Sequence, residues 1–255
     1  MHGDHQMNDY HQQQQALLLQ RWKTTRRLGT PRSASGPHNR ISDVAGGRVG
    51  HCTLAAGEVQ TGVTAIVPPG ENLFTQPLPC GAAVLNGFAK PVGLVQIEEL
   101  GLLQTPILLS NTLATGTLSA LTLDGVQMGD AIAPILPELA PQQDAGSIII
   151  IMAMDAPLDA RQLKRIAKRA GAGLGRLGSY WGHGSGDIAV AFSTCPQPQP
   201  PEDAQLESLL SAAADATEHA VLDAMLQADA VTGFRGHHRP TLPQALDRLA
   251  ATLYP

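Results

Sequence analysis

The chain has 255 residues, 43% of them hydrophobic and only 15% charged, with a formal net charge of −5. That length suits one large domain or two small ones, and the weak negative charge supplies no general attraction to nucleic acid. No apolar run approaches the ~18 residues of a membrane span, so neither a nucleic-acid nor a membrane partner is expected.

Residues 1–15 are polar and Gln-rich and lack the apolar core of a signal sequence, so residues 1–30 are expected as a flexible polar tail. From Ile41 onward short apolar runs alternate with glycine. RVGHCTL (48–54), GVTAIVP (62–68), AAVLNGF (82–88), TPILLS (105–110) and SALTLDG (119–125) predict strands, and GLVQIEELG (93–101) a short helix. PILPELAPQQDAG (134–146) reads as a loop, because its three prolines have no N–H to give a ladder. IIIIMAM (148–154), apolar at every position, predicts a strand covered on both faces.

A helix follows from Leu158 or Asp159 to Ala170, with Asp159 and Gln162 spaced as a capping box. Leu163, Ile166, Ala167 and Ala170 form its apolar face. DIAVAFS (187–193) predicts another strand, CPQPQPPED (195–203) a connector, and Ala204–Ala228 a long helix. Periodicity alone gives a single α/β or α+β domain with a substantial sheet. Cys52, Cys80 and Cys195 fit neither a metal spacing nor a disulfide framework, and read as small hydrophobes of a reducing, cytoplasmic compartment.

Two glycine-flanked polar sites bracket the 159–170 helix. One is Gly146-Ser147 at the mouth of the IIIIMAM strand. The other is GHGSGD (182–187), where Ser185 and Asp187 are spaced to point the same way at a strand entrance. A hydroxyl nucleophile needs a base, and no histidine stands in a suitable place. A backbone cut between Gly146 and Ser147 would free an α-amine of pKa near 8 to act as the base for its own hydroxyl. Read from the residues alone, Ser147 is either that nucleophile or an ordinary strand-opening serine. Asn86 in LNGF reads as an Asn-Gly turn former. Asn111, beside a strand end in a polar-glycine element, reads as a turn cap. Glu98 and Glu99 read either as a binder of a substrate amine or as a solvent-facing helical pair.

At these residues the chain resembles a known family. GSIIIIMAMDAPLDARQLKRIAKRAGAGLGRLGS (146–179) and GHGSGDIAVAFST (182–194) are similar to the C-terminal part of the P1-type peptidases, the L-aminopeptidase/D-esterase and β-peptidyl aminopeptidase enzymes. GPHNRISDVAGGRVGH (36–51), TGVTAIVP (61–68), LNGFAK (85–90), IEELGLLQTPILLSNTLATG (97–116) and LTLDGVQMG (121–129) resemble its N-terminal part, in the same order. The resemblance implies an α/β fold, a shortened αββα four-layer sandwich. It implies a precursor that cuts itself at Gly146-Ser147, dividing 31–255 into a 31–146 part and a 147–255 part that stay associated in a homo-oligomer. Ser147 then matches the nucleophile, Ser185 and Asp187 match the residues that orient it, and Asn111 falls near the catalytic region. The implied reaction releases an N-terminal amino acid from a peptide, amide or ester substrate, with no cofactor and no metal. One departure stands out: SNTLATG (110–116) runs into LTLDG (121–125) almost directly, where the family has a long segment carrying its oxyanion-holding residues. The alternative implied by that loss is a non-catalytic paralogue serving as scaffold or subunit.

Overall fold

The structure, a computed structural model, describes residues 2–29, 32–89, 91–110, 121–132, 146–199 and 202–253. In chain order the elements are α1 (His2–Thr25), β1 (Arg48–Ala56), β2 (Val59–Val67), β3 (Leu78–Gly87), α2 (Leu94–Leu100), β4 (Leu102–Leu103), β5 (Ile107–Ser110), β6 (Thr122–Leu123), β7 (Val126–Gln127) and α3 (Gly129–Ile132). The second half follows with β8 (Ile148–Met154), α4 (Ala160–Lys168), α5 (Ala170–Arg176), β9 (Gly186–Ser193), α6 (Asp203–Gln227), β10 (Val231–Thr232), β11 (His238–Arg239) and α7 (Leu242–Leu253).

Two sheets form the body. In the first, ordered β4-β3-β9-β8, the antiparallel pair β3–β9 lies at the centre and β8 runs parallel to β9. A parallel pair cannot be closed by a tight turn, so the chain crosses back from β8 to β9 through α4 and α5. These helices and α6 cover one face, where Ala83, Ala189 and Ala191 meet Leu163, Ile166 and Leu210. Gly81 sets how closely α4 approaches: a Cβ there would stand 2.3 Å from the Lys164 backbone nitrogen. The opposite face (Cys80, Ala82, Ile188, Val190, Phe192) turns toward the second sheet, ordered β1-β2-β5. A third apolar cluster joins α1 and α7 to the β6–β7 hairpin through Leu19, Trp22, Leu123, Val126 and Leu246.

Among the described residues the layers are helices, sheet, sheet, three of the four expected of an αββα sandwich. The outer face of the second sheet, with Leu54, Val63 and Leu108, is exposed. The capping box forms as expected, with the Gln162 N–H donating to Asp159 Oδ1 at 2.7 Å and the Asp159 N–H donating to Gln162 Oε1 at 3.0 Å.

Three expectations are corrected. The polar N-terminal stretch is helix rather than tail: Gln is a good helix former, and Leu18, Leu19 and Trp22 bury one stripe against α7. The Trp22 indole N–H donates to Asp247 Oδ1 at 2.8 Å, fixing that helix. Second, among the described residues the all-apolar β8 is an edge strand and only partly covered, whereas DIAVAFS lies in β9, a central strand buried along its whole length. Third, the 119–125 strand is instead, over its described part, the first arm of the β6–β7 hairpin, which turns at Asp124-Gly125 with both residues at positive φ.

Candidate active site

Ser147 stands immediately before β8 and Gly186 opens β9. Their parallel register sets Ile148 opposite Asp187, so both glycine-flanked serine sites begin neighbouring strands at the same end of the sheet. Carried back one residue, the register sets the Gly146–Ser147 bond level with Ser185–Gly186.

The Gly186 N–H donates to Ser147 Oγ at 3.1 Å. On either side of that amide, Ser185 Oγ donates to Asp187 Oδ2 at 2.7 Å, with the two residues only 6% and 4% exposed. A buried hydroxyl–carboxylate bond of this length is charge-assisted and strengthened by the low local dielectric. With its proton committed to Asp187, the Ser185 oxygen keeps lone pairs for an incoming N–H donor.

The loop that carries Ser185 is pinned from β3. The Asn86 side-chain amide donates to the Gly182 carbonyl at 2.7 Å, and the Phe88 N–H donates to the Ser185 carbonyl at 3.3 Å. Asn86 is thus a strut on the site rather than the turn former expected from its Asn-Gly dipeptide, and it lies beside a register irregularity in β3. Gly186 admits no side chain, since a Cβ would lie 2.3 Å from the Phe88 carbonyl oxygen and 2.7 Å from Ala89 Cβ. The backbone amide of Gly186 and the Asn86 strut escaped the sequence reading. Only the register of β3, β9 and β8 brings them to Ser147, although the Gly-Ser-Gly run hinted at a tight backbone approach.

The other expected site residues fare differently. Asn111 lies outside the described residues. Glu98 is exposed on α2 and forms an ion pair with Lys164 Nζ at 3.2 Å. Lys164 packs at Gly81, which pairs with Ala191, four residues along β9 from Asp187 and so about 13 Å away at strand rise. Glu98 is therefore a solvent-facing partner of α4 and not part of this cluster. His183 is exposed. Cys80, opposite Phe192 at the far end of β9, is buried, which pushes its thiol up to about 12 and keeps it a protonated packing group.

A second polar cluster, away from this site, fastens residues 32–33 to α6. Arg176 Nη1 donates to Asp215 Oδ1 at 2.7 Å and to Glu218 Oε2 at 3.1 Å, and the Ser33 hydroxyl donates to Asp215 Oδ2 at 2.5 Å. The Ser33 hydroxyl first, and then Arg176, hold the Asp215 carboxyl below its ordinary range.

Comparison with known proteins bears on the family and the fold. The model of peptidase family S58 matches residues 39–120 and 115–239, two pieces that meet at 115–120. The β-peptidyl aminopeptidase BapA of Sphingosinicella microcystinivorans is 28% identical over 356 residues, covering 86% of this chain and 89% of that protein. BapA of Sphingosinicella xenopeptidilytica is 33% identical over 140 residues, 46% of this chain and 35% of that protein. An alignment of 356 residues against a chain of 255 leaves a long stretch of the relative without a counterpart. Among solved structures, the PH0078 protein of Pyrococcus horikoshii OT3 superposes with a TM-score of 0.76 at 28% identity, covering 88% of this chain and 96% of that one. The L-aminopeptidase D-Ala-esterase/amidase of Ochrobactrum anthropi, described as a variant of the Ntn hydrolase fold, shares the fold at a TM-score of 0.73 and 21% identity, over 89% and 97% of the two chains. With its length matched in order on both sides of the junction and its fold shared, this chain belongs to peptidase family S58.

Proposed function

We propose that this chain is an aminopeptidase with amidase and esterase capability, whose nucleophile is Ser147 and whose base is the α-amine freed by self-cleavage at Gly146–Ser147. The observation that carries the reading is the Gly186 N–H on Ser147 Oγ, flanked by the buried Ser185–Asp187 hydrogen bond. In the precursor, Ser147 Oγ attacks the Gly146 carbonyl carbon, the C–N bond breaks, and an ester to Oγ replaces the amide. Water hydrolyses that ester, leaving a Gly146 carboxylate and a Ser147 with free amine and free hydroxyl. The register supports a place for that amine beside Ser185, whose lone pairs accept from it, while Asp187 favours the ammonium that forms when it takes the Oγ proton.

Turnover repeats the same proton path. The amine takes the Oγ proton as Oγ attacks the carbonyl of the substrate's N-terminal residue, and the leaving amine or alcohol carries a proton away. The acyl–Ser147 ester then yields to a water deprotonated by the same amine. The exposed apolar outer face of β1–β2–β5 supports self-association of the paired chains. Hydrolysis of aminoacyl p-nitroanilides, lost in Ser147→Ala, is the expected outcome. A rate unchanged by that substitution overturns the assignment.

One observation favours a second reading. The segment that in relatives follows the 110–116 element has no counterpart here, and losing an oxyanion donor costs about 2.7–4 kcal/mol. A folded, uncut chain without turnover identifies this protein as a non-catalytic scaffold or subunit.

A further inference from the structure

Between the two sheets, on the Ser147 side, lies an apolar cavity of about 190 Å³. Ile107 and Leu109 of β5 wall one side, Ile149, Ile151, Ile188 and Val190 of the first sheet wall another, and α2 with the segment around β4, including Gln96, Gln104 and Thr105, closes the third. Side chains alternate along a strand, so Ile149 and Ile151 form one row of β8, and Ser147 begins that row two residues earlier. At strand rise Ile149 is about 7 Å from Ser147. Ile149, 44% exposed, is the cavity-lining residue of β8 that stands nearest in sequence to Ser147. The cavity also runs beside β5, the last described strand before the 115–120 junction where the family's longer segment is missing.

We propose that this cavity receives the side chain of the substrate's N-terminal residue, so that the protein selects large aliphatic or aromatic residues over glycine, alanine and charged ones. The proposal rests on the reading of Ser147 as the acyl-accepting residue. A substrate carbonyl seated at Ser147 Oγ carries its side chain on the next atom, within reach of Ile149. The volume exceeds the ~150 Å³ apolar cavity known to hold benzene, so a leucyl or phenylalanyl side chain fits. Among the described residues no charged side chain lines the walls, which offer only the neutral polar groups of Gln96, Gln104 and Thr105, so a carboxylate or ammonium entering it loses its water without a counter-charge. Burying a side chain of this size favours it over alanine by about 10- to 150-fold.

The test uses binding as well as turnover. Racemic leucinol, phenylalaninol, alaninol and 4-amino-5-hydroxypentanoic acid, which have no carbonyl next to the amine-bearing carbon for Ser147 to attack, are titrated against the protein with Ser147 intact, with and without Ile149→Asp, by calorimetry or NMR. Leucinol and phenylalaninol are expected to bind at least tenfold tighter than the other two, and Ile149→Asp to erase that preference. Its half-exposed position lets the substitution be made without opening the core, and thermal unfolding checks this. Equal binding of all four, or a preference that Ile149→Asp leaves intact, overturns the proposal. A preference that holds while the unsubstituted protein hydrolyses none of the matching p-nitroanilides supports the cavity and defeats the nucleophile reading, so the two failures are distinct.

Discussion

Replacing Gly186 by alanine isolates the contribution of one backbone amide. The added Cβ would fall 2.3 Å from the Phe88 carbonyl oxygen and 2.7 Å from Ala89 Cβ, where real contacts stay above 3.0 Å. The start of β9 must therefore withdraw from Phe88 by more than half an ångström, on the order of the displacements that overpacking forces. The N–H that now reaches Ser147 Oγ at 3.1 Å moves with it, toward or past the limit of a useful hydrogen bond. As Oγ gains negative charge during attack, a lost charge-assisted bond costs about 1.5–3 kcal/mol, a rate loss of about 10- to 150-fold. The strain costs a further ~1–3 kcal/mol of stability. The assay follows both the appearance of cut chain and kcat/KM on an aminoacyl p-nitroanilide, with thermal unfolding in parallel. A Gly186→Ala chain that unfolds earlier, yet cuts and turns over at the original rates, refutes the role given to this amide.

Two further outcomes test the surroundings. Ser33→Ala removes the hydroxyl that holds Asp215 below its ordinary pKa of 3.8. A depressed carboxylate contributes stability above its unfolded value and loses it as pH falls through the folded value. The original protein's advantage over the variant, about 1 kcal/mol at pH 7 for an exposed donor on a charged acceptor, is thus expected to begin falling near pH 4 and to be lost as pH drops through the lowered folded value. Urea unfolding at several pH values reads this, and a difference constant with pH contradicts it. With a thiol reagent at pH 8, Cys52 is expected to react in the folded protein, being exposed. Cys80 is expected to react only after denaturation, because its thiol is buried with a pKa of about 12. Labelling of Cys80 in the native protein, located by peptide mass, contradicts the packing given to β3.

What the sequence made legible was local. Asp159 and Gln162 announced their helix by spacing, and glycine before Ser147 and around Ser185 marked two strand entrances. What it concealed depended on pairing. IIIIMAM looked more buried than DIAVAFS, yet sheet order made β9 central and β8 an edge, and order is not written in either run. The Gly186 amide became part of the site only through the parallel register of those two strands. The N-terminal helix was hidden because glutamines carry no periodicity, and its burial depends on Leu18, Leu19 and Trp22 meeting α7, more than 200 residues away. Glu98 was chemically plausible as an amine binder, but α2 points it at Lys164.

The account turns on whether Ser147 acquires a free α-amine. Intact-mass analysis of the purified protein, with and without Ser147→Ala, measures this directly. Two fragments dividing at Gly146/Ser147 in the original chain, and one undivided chain in the variant, are predicted. A single full-length mass for the original chain after prolonged incubation under native conditions would contradict it.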